Sequence, residues 1–334
     1  MQAVAGGHVR TSGGERRSVL RTLLTNRALS LLILVVLISA AMTILFPKYF
    51  FNYYNLRQLL YYLVTPAILA VGMMMLIVAG MFDLSIGGNL AMAGTITAAI
   101  LLASPSFPYP LAIGVAIVIS ACAGVINGLL VAFVGVNALI TTLAMMGILR
   151  GVAIMLAPSA ISVPPSVANL GSIFLLGFQI PTYYMIVLVL IGAFLLARTR
   201  YFRQLYYIGA NRKAADLSGI NSRRVLLVTF VISGFLAGFV GVVQAAGTNA
   251  AIGIIQDGIE LKVITAVIIG GGSLSGGKGT ILGAFMGALF MLLIDTIMTI
   301  ASVNNMFQPF IVGIILVLAV TLDVIIQRRY GASR

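Results

Sequence analysis

The chain has 334 residues, of which 61% are hydrophobic and only 8% are charged, whereas roughly a quarter of the residues in a soluble domain carry a charge. This composition predicts an all-α, polytopic integral membrane bundle, and it excludes a soluble enzyme, a disulfide scaffold and a disordered chain. Twenty basic residues against seven acidic ones give a formal net charge of +13. We interpret that excess as a signal of membrane orientation rather than of nucleic-acid binding, because basic residues collect in cytoplasmic loops.

Apolar runs long enough to suggest membrane spans follow one another along residues 28–327. The first run is too long to be the core of a cleaved signal peptide. The third and eighth runs are rich in glycine, which is compatible with broken or partly re-entrant helices. The ten candidate spans are Ala28–Phe46, Leu59–Gly80, Leu84–Ser104, Tyr109–Phe133, Ala138–Ala157, Thr182–Ala197, Val225–Ala246, Leu261–Gly272, Thr280–Ile300 and Phe307–Gln327.

The distribution of basic residues predicts how these spans are oriented. With the N-terminal tail, 1–27, in the cytoplasm, sixteen of the twenty basic residues fall on the cytoplasmic side. Seven of them lie in the polar segment 198–224. Because the number of spans is even, the C-terminal tail, 328–334, returns to the same side. Both termini are therefore predicted to be cytoplasmic.

Two scarce residue types limit the chemistry that the chain can perform. The single cysteine, Cys122, lies in an apolar run, where we expect a free cysteine to be buried. The single histidine, His8, lies in the polar N-terminal tail. Zinc sites and histidine-based catalysis lack their usual side chains, so we predict no catalytic residue and no metal site.

Polar residues in or beside the apolar runs are candidates for translocation or for structural hydrogen bonding, because an intramembrane charge needs a partner, water or an interface. Asp83 directly precedes a Ser- and Gly-rich span start and can also cap that helix. Arg150 can snorkel outward or pair with a carboxylate across the bundle. No nucleophile–base pair is visible. The candidates are Asp83, Ser85, Asn89, Asn127, Thr142, Arg150 and Glu260.

The polar segment 198–224 contains a short predicted helix, Asn211–Gly219. Asn211 is a favourable N-cap, and Gly219 is a favourable stop signal. So short a helix is not stable in isolation, so it must pack on another surface. Two interpretations follow: a solvated interfacial turn, or a docking element for a cytoplasmic partner.

A glycine-rich segment before the ninth run nearly spells a phosphate-binding P-loop. That motif needs Ser or Thr directly after its lysine to hold magnesium, but Lys278 is followed by Gly279, and the hydroxyl comes one residue late at Thr280. The segment also joins two apolar runs instead of a strand and a helix. We therefore predict a tight cytoplasmic turn and no nucleotide bound by this chain. The turn residues are Gly271, Gly272, Ser273, Gly276, Gly277 and Lys278.

Four ordered motifs carry a resemblance that extends over about residues 30–327. They are Gly80-Met-Phe-Asp-Leu-Ser-Ile-Gly87, Ala138-Leu-Ile-Thr-Thr-Leu-Ala-Met-Met-Gly-Ile-Leu-Arg-Gly151, Ile208-Gly-Ala-Asn211 with Leu217-Ser-Gly-Ile-Asn221, and Ala266-Val-Ile-Ile-Gly-Gly-Gly-Ser-Leu-Ser-Gly-Gly277. Together they resemble the permease subunits of ribose-type bacterial ATP-binding-cassette (ABC) importers. By this resemblance, residues 28–327 form the permease domain.

The resemblance implies about ten helices and a dimer of one chain or of two related chains, embedded in lipid in a bacterial inner membrane. It also implies separate cytoplasmic ABC ATPase subunits, which hold ATP and magnesium, and a periplasmic or lipid-anchored substrate-binding protein. The permease is then a non-catalytic subunit that moves a small hydrophilic solute by alternating access. A monosaccharide is the first expectation. Nucleosides, signalling sugars and branched-chain amino acids are the alternatives.

By the same resemblance, Asn211–Gly219 is the helix that couples the permease to its ATPase. The family often carries two acids where this chain has Arg212 and Lys213, and a base where it has Asp216. We hypothesise that the partner ATPase presents an acidic complement to this helix. The coupling residues are Asn211, Arg212, Lys213, Ala214, Asp216, Leu217 and Gly219.

Two other classes of protein stay open at this point. An ion-coupled secondary transporter would use an intramembrane carboxylate such as Asp83 or Asp295 as its proton or sodium site. An intramembrane enzyme would need a nucleophile and a base inside the bundle, and we find no such pair.

Overall fold

The structure, a computed structural model, describes residues 27–331. The predicted tails lie outside the described residues, apart from Arg27 and the helical backbone of residues 328–331, and His8 lies outside them as well. Helices dominate the rest of the chain. They are α1 (Arg27–Leu45), α2 (Tyr53–Val78), α3 (Ile86–Ala103), α4 (Tyr109–Leu129), α5 (Ala138–Leu156), α6 (Pro165–Ser172), α7 (Ile180–Arg198), α8 (Arg200–Ala210), α9 (Arg212–Leu217), α10 (Ser222–Thr248), α11 (Ile259–Ile269), α12 (Ile281–Ile300) and α13 (Gln308–Gly331).

Seven helices of the described chain are long and apolar enough to cross a membrane. They are α2, α3, α4 with its π-helical extension Leu130–Val134, α5, α7, α10 and α12. Helices α1 and α13 contain shorter apolar stretches, Leu29–Leu45 and Gln308–Thr321. Helix α11 has only 11 residues, about 16 Å of helix, against about 30 Å of hydrocarbon. The helical membrane bundle is thus confirmed, with seven candidate spans in the described part of the chain; the count of ten stays a prediction.

The two glycine-rich runs form helices that start inside the bundle. Asp83, just before α3, hydrogen-bonds to Ser233, which lies eleven residues, or about 16 Å, into α10 from its start at Ser222. Helix α11 begins beside α3, because a Cβ on Gly87 would touch Ile259 at 3.1 Å. The third run is nevertheless one continuous helix that is long enough to span. Only the eighth run is short, because its helix ends at Ile269.

Helices α2 and α10 form the centre of the bundle, and glycines let their neighbours approach closely. On α4, Gly124 and Gly128 face Phe230 and Leu227 of α10, with no room for a side chain at either glycine. The same packing turns the opposite face of α4 outward. Cys122 lies there and is exposed, so the expectation that this cysteine is buried was wrong.

The proline-rich stretch before α7 folds into small elements that the all-α prediction missed. Strands β1 (Ile161–Ser162) and β4 (Ala250–Ala251) pair antiparallel, as do β2 (Phe174–Leu175) and β3 (Phe178–Gln179). Each strand has two residues, which is too short for an alternating hydrophobic pattern to show in the sequence. The β1–β4 pair ties the segment between α5 and α6 to the end of α10.

Candidate functional site

The short helix that we predicted over Asn211–Gly219 is present as α9, and its ends follow the expected signals. The Asn211 side chain accepts a hydrogen bond from the Ala214 backbone N at 3.0 Å. Gly219 follows the helix with φ +85° in open space, a conformation that favours glycine. Ala215 is buried against the bundle, whereas Leu217 is 91% exposed. Helix α9 therefore sits firmly on the bundle and presents a large apolar side chain outward.

The charged residues of α9 point in different directions. Arg212 donates from Nη2 to the Ala132 carbonyl at 3.2 Å, so it contacts the membrane bundle. Lys213 is exposed. Asp216 accepts a hydrogen bond from the Ser222 backbone N at 3.3 Å. This contact with Ser222, helped by the positive charges of Arg212 and Arg223, holds the pKa of Asp216 below its ordinary value.

The predicted glycine-rich turn packs against the end of α2 and against α8, the helix that precedes α9. The Gly277 backbone N donates to the Val78 carbonyl at the end of α2, at 2.8 Å. Gly209 of α8 packs so closely against Val78 and Gly277 that a side chain there would clash. Tyr206 of α8 donates its hydroxyl to the Gly279 carbonyl at 2.8 Å. One surface therefore joins α2, α8 and the turn.

The turn itself has the form that we predicted and lacks the setting of a P-loop. It follows helix α11 instead of a strand. Gly271, Gly276 and Gly277 all have positive φ, which explains the glycines by backbone geometry. Gly272 and Ser273 are buried, and Lys278 is exposed on the surface of the turn.

The candidate polar residues near the start of α3 form one buried hydrogen-bond network. Asp83 accepts from the Ser85 backbone N at 3.0 Å and from the Ser85 hydroxyl at 2.5 Å. Its other oxygen accepts from the Ser233 hydroxyl at 2.6 Å. The Asn127 amide donates to the Ser85 hydroxyl at 2.9 Å. The network joins α3, α4 and α10. Asp83 bonds Ser85, the residue before α3, and Ser233, and it bonds no backbone N–H of the first turn of α3, so it does not cap that helix.

Two other candidates make contacts of simpler kinds. Asn89 donates to the carbonyls of Ser120 at 3.1 Å and Gly234 at 3.3 Å, which bridges α4 and α10. Thr142 donates to the Ala138 carbonyl within its own helix at 2.8 Å and so does not join the network. These contacts stabilise the bundle and provide no group for chemistry.

Arg150 and Glu260 lie together where α3, α5 and α11 meet. Arg150 donates from Nη1 to the Ile255 carbonyl at 2.8 Å, and its Nη2 lies 3.4 Å from Asp257. Glu260 is buried, and its carboxylate lies against Gly87. Arg150 therefore pairs with a carboxylate, but Asp257 lies in the loop before α11 and is 87% exposed, so the pair is at the surface and not across the bundle. Within the described residues, no group of three or more His, Cys, Asp and Glu side chains could hold a metal.

A polar cavity of about 510 Å³ lies between α2, α10, α11 and α12, and sequence reasoning missed it. Lys262 of α11 and Asp295 of α12 form an ion pair in its wall. Twelve of its lining side chains are polar: Asn55, Gln58, Tyr61, Tyr62, Thr65, Gln244, Gln256, Lys262, Asp295, Thr296, Thr299 and Gln308. The available signal was weak, because α10 and α12 contribute scattered polar residues to apolar runs and the polar start of α2 reads as an ordinary span end.

Comparison with known proteins identifies the family. Residues 55–320 match the family described as the permease component of the branched-chain amino acid transport system. The chain belongs to this permease family. No solved structure matches the permease.

Several permeases of sugar transport systems are similar to this one over most of its length. The ribose import permease of Escherichia coli K12 is 33% identical over 301 residues, which cover 88% of this chain and 92% of the relative. The D-allose permease of the same organism is 32% identical over 297 residues, or 88% and 91% of the two chains. The L-arabinose permease of Azospirillum brasilense is 33% identical over 271 residues, which cover 80% of this chain and 79% of the relative.

The comparisons confirm the resemblance that the four motifs carried. Permeases of this family are non-catalytic components of transport systems, and ATP hydrolysis belongs to separate subunits. Membership therefore implies an ATPase and a substrate-binding protein as partners. It also agrees with a multi-pass membrane location.

Proposed function

We propose that this permease is the membrane subunit of an ABC importer that carries a monosaccharide into the cytoplasm of a bacterium. The proposal is supported by the sugar permeases that match most of the chain. The observation that carries the mechanism is helix α9, a capped helix that is packed on the bundle and exposes Leu217. A docked helix with a free apolar side chain is suited to bind a cleft on another protein.

Helix α9 is connected to the bundle in a way that lets a movement of the ATPase reach the spans. Ala215 is buried against the bundle, and Asp216 binds the first residue of α10, Ser222. Arg212 reaches Ala132 in the π-helical extension of α4. A displacement of α9 by an ATPase that closes on ATP would therefore act on α4 and α10 together, which is the motion that alternating access needs.

The remaining parts of the importer follow from this arrangement. ATP and magnesium bind in the partner ATPase, at the side of α9. A periplasmic or lipid-anchored binding protein delivers the sugar at the opposite end of the bundle, and a second permease, identical or related, completes the path. With the basic segment 198–224 in the cytoplasm, both termini lie on that side of the inner membrane, and about ten helices are embedded in it.

Ion-coupled transport is a weaker account of the same chain. Asp83 already accepts hydrogen bonds from Ser85 and Ser233, and Asp295 is paired with Lys262. A proton or sodium site needs a carboxylate that is free to bind the ion. Both of these carboxylates already have protein partners.

Transport by proteoliposomes tests the proposal. They would contain the full permease, its ATPase and its binding protein, and be supplied with ¹⁴C-labelled D-ribose, D-allose or L-arabinose. We expect accumulation of at least one sugar that requires hydrolysable ATP and both partners. Accumulation driven by a proton or sodium gradient in liposomes that hold the permease alone would overturn the proposal.

A further inference from the structure

The polar cavity lies at the end of the bundle opposite the coupling helix. On α2, its lining runs from Asn55 to Pro66, about 16 Å along the helix axis. Val78, at the far end of α2, bonds Gly277 of the glycine-rich turn and lies against Gly209 of α8, the helix before α9. Asn55 lies about 35 Å from Val78 along the axis of α2. The cavity is therefore on the side that faces away from the ATPase.

The wall of the cavity offers many hydrogen-bonding groups and no net charge. Lys262 and Asp295 neutralise each other. The remaining polar residues are amides and hydroxyls, which can both donate and accept hydrogen bonds. Such a wall suits a neutral solute with many hydroxyl groups better than an ion, which would meet no uncompensated charge.

Several of these groups are free to bind a solute. In the described part of the chain, the amides of Gln58 and Gln256 make no hydrogen bond with other residues, whereas the Tyr61 hydroxyl lies against Gly247 of α10. The Gln244 carbonyl accepts from Thr65 at 2.9 Å, and its NH₂ group is left to donate. Gln256 lies in a turn with φ +54°, a left-handed conformation that costs energy in a non-glycine residue.

The cavity also provides apolar contact of the right kind. The rings of Tyr61 and Tyr62 lie 5.9 Å apart at 56°, and both residues line the cavity together with Leu59 and Ile259. A sugar ring has an apolar C–H face that packs on such rings while its hydroxyls reach the amides. A volume of about 510 Å³ falls within the range usual for small-molecule sites.

We propose that this cavity is a binding subsite for a neutral monosaccharide, held within a single permease subunit. The inference rests on the proposed function, since it names where the transported sugar binds after release from the binding protein. Gln58, Gln244 and Gln256 bind its hydroxyls, and Tyr61 packs on its ring. Lys262 and Asp295 keep the wall neutral and exclude free anions and cations.

Direct binding to the purified full-length permease in lipid nanodiscs, without partners, tests the subsite. The probes are ¹⁴C-labelled D-ribose, D-allose and L-arabinose, with ¹⁴C-leucine as a zwitterion of similar size. We expect saturable binding of at least one sugar and none of leucine. Gln58→Ala and Gln256→Gly should each weaken sugar binding about tenfold, since each removes one hydrogen-bonding amide. Glycine tolerates the positive φ at residue 256.

The matched control is Asn169→Ala, which removes an exposed amide on α6 outside the cavity and should leave binding unchanged. Absence of sugar binding to the unmodified permease, leucine binding in place of sugar, or equal binding by the cavity variants and the control would overturn the subsite.

Cysteine protection keeps the test decisive if an amide variant fails to fold. Cys122 is the only cysteine, so Cys122→Ser gives a background for Gln58→Cys and for the control Asn169→Cys. A saturating sugar should slow maleimide labelling at residue 58 at least fivefold and leave residue 169 unaffected. Equal rates at residue 58 with and without sugar would count against the subsite.

Failure of the subsite and failure of the proposed function can be told apart. ATP-dependent sugar uptake with no protection at residue 58 rejects the subsite alone. Protection at residue 58 together with uptake that needs no ATPase rejects the proposed function alone.

Discussion

Lys262 of α11 and Asp295 of α12 form an ion pair in which the two side chains are only 23% and 15% exposed. Helix α11 is too short to span the membrane by itself, so it depends on its neighbours for position. The pair connects it to a long span, α12, and makes the wall of the polar cavity neutral. Breaking the pair should therefore affect the stability of the bundle.

Asp295→Asn should lower the free energy of unfolding by about 3 kcal/mol, because it leaves a charged lysine without a partner among membrane helices. Chemical unfolding in detergent micelles measures the change. The exchanged pair, Lys262→Asp with Asp295→Lys, should recover part of it. Asp257→Asn is the matched control, since Asp257 is 87% exposed in its pair with Arg150 and should contribute less than about 1 kcal/mol. Equal losses in the two Asn variants would contradict this account.

Leu217→Ala should weaken the affinity of the permease for its ATPase about thirtyfold and leave the melting temperature unchanged. Leu217 is 91% exposed, so its removal costs the free permease little. Burial of a leucine in a partner cleft contributes about 2 kcal/mol, which corresponds to that change in affinity. Surface plasmon resonance with the ATPase measures it. Leu176→Ala, at an exposed loop leucine beside β2, is the control, and an equal loss there would show that α9 is not the docking helix.

The two basic residues of α9 should separate into different roles. Lys213→Glu should weaken ATPase binding at least tenfold without changing stability, because the exposed lysine is free to meet an acidic partner. Arg212→Glu should also lower the melting temperature, because it removes the hydrogen bond to Ala132. Melting temperatures and ATPase affinities measured for both variants distinguish a loss of stability from a loss of binding. Unchanged binding by Lys213→Glu would reject an acidic complement on the ATPase.

The coupling helix shows how far local signals can predict this structure. Asn211 caps α9, and Gly219 ends it with a positive φ. Both features were predictable, because helix capping and chain reversal depend on neighbouring residues alone. The glycines of the turn were predictable for the same reason. What could not be predicted is the hydrogen bond from Gly277 to Val78, because it depends on how distant helices pack.

The polar cavity escaped prediction for a related reason. Gln58 lies in the polar stretch just before the second apolar run, whereas Gln244 stands alone in the seventh. Neither position indicates whether the side chain faces lipid, a neighbouring helix or water. Only the packing of α2, α10, α11 and α12 brings them to one wall. Asp83 was recognisable from its motif, but its bond to Ser233 across the bundle was not.

Gly209→Ala should destabilise the permease and reduce ATP-dependent transport. A Cβ at this position would overlap the Val78 carbonyl and the Gly277 backbone, so α8 would have to separate from α2 and the turn. Gly114→Ala is the matched control, because Gly114 is also helical and has open space around it. Alanine should stabilise that helix by about 0.5–1 kcal/mol. A lower melting temperature for Gly209→Ala and a higher one for Gly114→Ala would support the close packing of α8 on α2. Equal changes in the two variants would contradict it.

The stability that Asp216 contributes should depend on pH. The contact with Ser222, together with the charges of Arg212 and Arg223, lowers its pKa in the folded protein. A carboxyl with a lowered folded pKa contributes its full stabilisation above its unfolded pKa, about 3.9, and loses it as the pH falls through the folded pKa. Asp216→Asn should therefore melt at a lower temperature than the unmodified permease at pH 7, and the difference should shrink below pH 4.

Melting temperatures of both proteins between pH 7 and pH 3 measure this effect. Asp257→Asn serves as the control for general acid destabilisation, because Asp257 is also exposed and lies away from α9. A gap between Asp216→Asn and the unmodified permease that stays constant down to pH 3 would mean that the charge of Asp216 does not stabilise the junction of α9 and α10. The bond to Ser222 would then act through its geometry alone.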